Sequence, residues 1–184
     1  MASKLKKFAA AAVLSGSMLL GTHYGNLALI DGTISTQLQD NSTLEVPRYA
    51  WRNVRPLRCS KYVREAAEDL FGLHYSKSDA WNRRYHDTVV RTLGEGDSLE
   101  DLADSGVLTP GMIVGIRNPH SRYADRLDEK GETVKYTHVG LYLGQNSQGE
   151  SLIADLYGSA TFVRTEKDLH AAGLKAVEVL APQK

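Results

Sequence analysis

An α+β fold is what this sequence predicts, with N-terminal helices packed on an antiparallel sheet of about five strands. Three observations carry that expectation. From Cys59 to Phe71 apolar residues recur at helical spacing, whereas after Pro110 and Gly111 the chain turns to short runs rich in Val, Ile, Leu and Tyr. The segment "GQNSQGE", Gly144 to Glu150, separates two such runs as a hairpin turn would, so its flanking strands are antiparallel neighbours. Helices first and strands later is the α+β order, in contrast to the alternation that builds parallel sheets.

At the N-terminus, Lys4, Lys6 and Lys7 precede the apolar run from Phe8 to Leu20, and no acidic residue occurs before Asp31. That is the pattern of a secretory signal over residues 1–30. The run is shorter than the roughly 20 residues a spanning helix needs. The weakly polar extension from Gly21 to Ile30 lengthens it, so a retained membrane anchor is the alternative. No cysteine follows the run, which excludes thiol-linked lipidation there. Either way the chain is expected outside the cytoplasm, in the periplasm, cell envelope or exterior.

Residues 31–47, "DGTISTQLQDNSTLEVP", are polar and lack period, and read as a linker. One globular domain then covers 48–184. Its first helix sets Tyr62, Val63, Ala66, Ala67, Leu70 and Phe71 on one face and charges on the other, and Gly72 stops it. A second helix is expected from Asp79 to Leu93, with Ser76 and Asp79 as its capping box. In "SLEDLADSG" the Ser98 and Asp101 pair caps a third, closed by Gly106. Strands are expected at 112–116, 137–144, 151–158, 160–165 and 175–181. The loop from Arg117 to Tyr136 is long and charged.

The chain carries 22 basic and 22 acidic side chains and is 42% hydrophobic. No basic excess marks a nucleic-acid partner, and the apolar content suffices for a core. A monomer is expected, without a cofactor.

Cys59 is the only cysteine among 184 residues. In an exported protein one thiol cannot form an internal disulfide, which leaves reactivity, intermolecular pairing or burial as a small apolar side chain. Its place at a helix start matters, because the positive end of the helix dipole favours a thiolate. A histidine partner would favour it further. Of six histidines only His138 opens a predicted strand, where a sheet can hold an imidazole rigidly. His138, Gly140 and Tyr142 share one face of that strand, and Gly140 leaves room beside the ring. On the partner strand Asp155 is the only charged residue in "LIADLYG" and is placed to bind the second imidazole nitrogen. Counting from the turn puts His138 opposite Asp155 or Leu156, and the count does not choose.

Cysteine at a helix start, then "LTPGMIVGI", then "THVGLYLG", then a strand with one polar residue: this order resembles the NlpC/P60 cysteine peptidases and the related CHAP amidases. The likeness covers roughly 49–165. "THVGLYLG" is close to the family's histidine strand, "LTPGMIVGI" to its "PGDLVFF" strand, and "CSKYVREA" to its "CSGFV" and the CHAP "CxxYV". The resemblance implies a papain-like fold and cleavage of cell-wall peptide or amide bonds, with peptidoglycan or another envelope peptide as partner. It implies Cys59 as nucleophile, His138 as general base and Asp155 as orienting residue. It further implies that Tyr49 lines the site; Trp51, Arg58 and Ser60 are expected with it on the substrate and oxyanion side. There the Cys59 N–H and the Tyr49 hydroxyl would be donors, worth about 3 kcal/mol each.

Several positions depart from the family pattern. Arg58 stands where an aspartate commonly precedes the cysteine, Met112 replaces the aspartate of "PGDL", and Ala154 is an alternative occupant of the third polar slot. Arg58 is placed to meet an acidic substrate group or to remain solvated. Trp51, Trp81 and Tyr142 read as core or groove-wall aromatics. His120 is the reserve base. Zinc on His120, His138 and Asp155 lacks the short ligand spacing such sites show. The alternative to a hydrolase is an inactive member of the same fold that binds wall peptides or a partner protein.

Overall fold

The computed structural model describes residues 29–49, 58–158 and 160–183. The signal or anchor assigned to 1–30 falls almost wholly outside them, as does Trp51. Among the described residues no helix is long and apolar enough to cross a membrane.

The chain opens with a hairpin, β1 (Leu29–Gln37) and β2 (Thr43–Tyr49), which corrects the expectation of a linker at 31–47. Its alternation is concealed by the abundance of Ser and Thr. Thr36 and Val46 are buried, while Ser35 donates to Glu45 across the pair at 2.6 Å. Asn41, at φ 63°, makes the turn, and the Gln39 N–H donates to the Gln145 carbonyl, so the hairpin belongs to the domain.

Helix α1 (Arg58–Phe71) follows the predicted stripe and ends at Gly72, whose φ of 67° suits a residue without a side chain. The predicted helix over 79–93 does not form. A single 3₁₀ turn (Ala80–Asn82) and the short α2 (Arg83–His86) lead instead into β3 (Thr88–Thr92). Two causes are visible. The β-branched run "TVV" suits a strand. The Ser76 hydroxyl, expected to cap, donates to the His86 carbonyl and to Asp87 instead.

Helix α3 (Leu99–Asp104) is capped by Ser98, which accepts from the Asp101 N–H. Strands β4 (Ile113–Arg117), β5 (His138–Gln145), β6 (Ser151–Tyr157) and β7 (Ala160–Thr165) follow the sequence reading closely. Helix α4 (Glu166–Ala171), not anticipated, is closed by a reciprocal capping box between Thr165 and Asp168. Strand β8 (Lys175–Ala181) ends the fold.

The sheet has six strands, not five, in the order β3-β8-β4-β5-β6-β7, and every neighbouring pair is antiparallel. The fold is α+β. On one side Tyr62, Val63, Ala66 and Ala67 of α1 join Ile113, Val139, Leu141, Leu143, Ala154 and Leu156 in one buried cluster. A second cluster joins Leu99 and Leu102 of α3 and Leu169 of α4 to Val114, Ile116, Tyr142 and Ile153. Strand alternation explains the division, since Val139 and Leu141 point opposite to Tyr142. The sheet is therefore covered on both faces, and α1 lies over β5 and β6.

Candidate active site

Cys59, His138 and Asp155 come from three elements that are far apart in sequence and adjacent in the sheet and its covering helix. Helix α1 delivers the thiol at its first turn. There Cys59 meets His138, the first residue of β5, and the two side chains are hydrogen bonded. Backbone N–H groups of Val139 and Ser60 also reach the sulfur. His138 Nε2 lies 3.0 Å from Asp155 Oδ2, so Nδ1 is the nitrogen left for the thiol. Cys59 and His138 are each 7% exposed and Asp155 is fully buried.

The register that aligns them differs from both sequence expectations. Asp155 stands opposite Gly140, not opposite His138: the hairpin closes with Gln145 opposite Ser151, and a one-residue shift between Tyr142 and Gly144 brings Asp155 from opposite Leu141 to opposite Gly140. His138 and Asp155 are consequently diagonal neighbours on the same side of the sheet, close enough for a direct contact. The slip occurs at Gly144, whose φ is 125°. Gly140 also has a role other than the expected one. A side chain there would come within 2.3 Å of Ile153 Cγ2, so the space is already filled by Ile153 rather than left open beside the ring.

Burial is the strongest influence on the Cys59 thiol and opposes its ionisation. The charge and hydrogen bond of His138, aided by the two backbone donors, outweigh burial, and the pKa falls below the ordinary thiol value. Burial likewise works to depress the His138 pKa. The Cys59 charge and the Asp155 hydrogen bond overcome it and raise the imidazole well above its ordinary value. The two shifts describe a single interaction, a thiolate–imidazolium pair.

Asp155 has a second partner that sequence reasoning missed. Its Oδ1 makes no aligned hydrogen bond, yet Arg164 Nε lies 3.4 Å away as an ion pair. Arg164 on β7 stands opposite Ile153, while Phe162 stands opposite Asp155, so Arg164 is again a diagonal neighbour. Its guanidinium lies over the rings of Phe162, at 4.4 Å, and Tyr157, at 5.2 Å. Tyr157 turns its edge to the His138 ring, with centroids 5.4 Å apart, and its hydroxyl accepts from Asn118 Nδ2 at 3.0 Å. Alternation within "ATFVRT" places Phe162 and Arg164 together; what they face follows only from strand order.

The remaining expected site residues divide. Ser60, assigned to the substrate side, is buried; its hydroxyl donates to the Ser78 carbonyl and accepts from Arg83 Nε at 2.8 Å, so it faces the interior. Tyr49 closes β2 and Arg58 opens α1. Ala154 packs in the cluster beneath α1 and offers no polar atom to His138. His120 is exposed, and its N–H donates to Asn118 Oδ1. Trp81 is buried, 5.9 Å from the Tyr123 ring with Arg126 above it, and Tyr142 is buried beneath α3. The 117–136 loop is tied down by Tyr85 donating to Asp128 at 2.5 Å and by the Glu129 N–H donating to Asn82. No three His, Cys, Asp or Glu side chains group as metal ligands among the described residues.

No protein-family model, no curated protein and no solved structure matches this chain.

Proposed function

We propose that this protein is an exported cysteine hydrolase of papain-like architecture, cutting peptide or amide bonds of cell-envelope peptide such as peptidoglycan. The observation that carries the reading is the buried row Cys59–His138–Asp155, with the imidazole hydrogen bonded to both neighbours. Its placement on a helix start and a strand start over an antiparallel sheet supports the papain-like part.

In this reading the Cys59 thiolate attacks the carbonyl carbon of the scissile bond and the π electrons move onto oxygen. The His138 imidazolium gives its proton to the leaving amine as the C–N bond breaks, leaving a thioester on Cys59. Neutral His138 then takes a proton from water, whose oxygen attacks the thioester. Collapse releases the acid and restores the thiolate–imidazolium pair. Asp155 holds the ring orientation and tautomer and balances the imidazolium charge. The Cys59 backbone N–H is the assigned oxyanion donor, with the Tyr49 hydroxyl as the second.

A second reading, an inactive module that binds wall peptide, is favoured by the low exposure of Cys59 and His138. Digestion of purified wall fragments, with the products weighed by mass spectrometry, separates the two. Cys59→Ala is expected to abolish new products while leaving the melting transition in place. Undiminished cleavage by that variant would sink the mechanism; binding without cleavage by the unaltered protein would select the module.

A further inference from the structure

Resting on the hydrolase reading, the geometry points to Arg164 as a fourth, positioning member of the row, which anchors Asp155 and makes the buried cluster electrically neutral when its thiol is ionised. Asp155 divides its oxygens, Oδ2 toward His138 at 3.0 Å and Oδ1 toward Arg164 at 3.4 Å. The Arg164 side chain is 14% exposed and its guanidinium lies over two aromatic rings, so the charge is held in place rather than free to swing into solvent. The reactive form therefore contains Cys59⁻, His138⁺, Asp155⁻ and Arg164⁺, with no net charge.

That balance has a direct consequence for proton affinity. Without the guanidinium the same ionised form would hold a net charge of −1 in a dry site. Such a cluster takes up a proton more readily, whichever atom receives it. The reactive thiolate would then appear only at higher pH. Among the described residues, the other groups facing the row do not replace Arg164. Asp168, at the start of α4, is a further negative charge within reach of the guanidinium. Tyr157 presents a ring edge to His138, and Glu45 on β2, the strand beside β7, is engaged by Thr33 and Ser35.

The test is the rate of Cys59 alkylation by iodoacetamide across pH, which needs no substrate. In Arg164→Met the acid limb of the profile is expected to move up by about one pH unit, and in Arg164→Lys, which keeps the charge, to stay near its original position. If Arg164→Met does not fold, the paired replacement Asp155→Asn with Arg164→Met leaves no unpaired charge. Its limb should lie above that of Asp155→Asn alone. A limb unmoved by loss of the guanidinium, or moved equally by Arg164→Lys, overturns the assignment and leaves the hydrolase reading intact. A thiol in the unaltered protein that titrates in the ordinary range instead removes the ground from that reading itself.

Discussion

Two consecutive residues at the start of α1 feed two buried charge clusters of opposite character. Ser60 belongs to the first, in which Arg83 donates to Ser60 Oγ, to the Ser60 and Ser76 carbonyls and, at 2.6 Å, to Asp87. Four of the five Arg83 N–H groups are thus taken by a hydroxyl, two carbonyls and a carboxylate that pairs with it. Cys59 belongs to the second, where thiol and imidazole exchange a proton and each has its pKa displaced by the other. The permanent charge locks the helix start; the titratable pair beside it is the one proposed to react. A thiolate needs a fixed partner within hydrogen-bond reach, and the neighbouring arginine network is what fixes the turn that carries it.

Breaking the locked cluster is expected to have the largest effect. Arg83→Met leaves Asp87 buried without its cation, and a loss of about 3–5 kcal/mol in unfolding free energy is expected from denaturant titration. Cys59→Ser should stay within about 1 kcal/mol, since it removes no permanent charge. Equal losses for the two would show that the Cys59 cluster is as structural as the Arg83 cluster.

Gly140→Ala moves the Cys59–His138–Asp155 row without altering its groups. The new methyl meets Ile153 Cγ2 at 2.3 Å and presses β5 away from β6, the strand that carries Asp155. A loss of about 1–3 kcal/mol is expected, together with a displaced alkylation profile. An unchanged profile would mean that the His138–Asp155 contact tolerates a shift of its strands.

The smallest effect concerns stability against pH. The depressed Cys59 pKa contributes stability that is lost as pH falls, and the raised His138 pKa contributes stability that is lost as pH rises. Between the ordinary imidazole value of 6.5 and the ordinary thiol value of 9.0, the unfolded chain also holds one proton on these two groups. The difference in stability between the unaltered protein and Cys59→Ser should therefore be flat across that window and shrink on both sides. A difference that rises or falls steadily through neutral pH would show that the folded pair does not hold a single proton across that window.

Elements whose signals are local could be read from the chain. The stripe of α1, its glycine stop, the Ser98 cap and five strands are each written within a dozen residues, and all appear. The failures share a cause. Residues 79–93 carry a weak helical stripe, and pairing with β8 recruits their β-branched end into the sheet. Residues 31–47 look like a linker because the hairpin's outward face carries Thr33, Ser35, Gln37, Thr43 and Glu45, while its inward face packs on a body formed much later in the chain. The capping box of α4, Thr165 with Asp168, is written in the chain, but it directly follows a strand, which masks it.

The order of residues along the chain specifies which chemistry this protein can hold: one thiol at a helix start, one histidine opening a strand, one carboxylate on the next strand. Helical period, capping and strand alternation act over a few residues, so they specify where each group sits on its own element. Which groups meet follows from the fold alone. A one-residue slip at Gly144 sets Asp155 diagonal to His138, strand order sets Arg164 behind Asp155, and a buried arginine turns Ser60 inward. Register and strand order are non-local, because they are settled by packing among elements that the chain brings together only once it has folded.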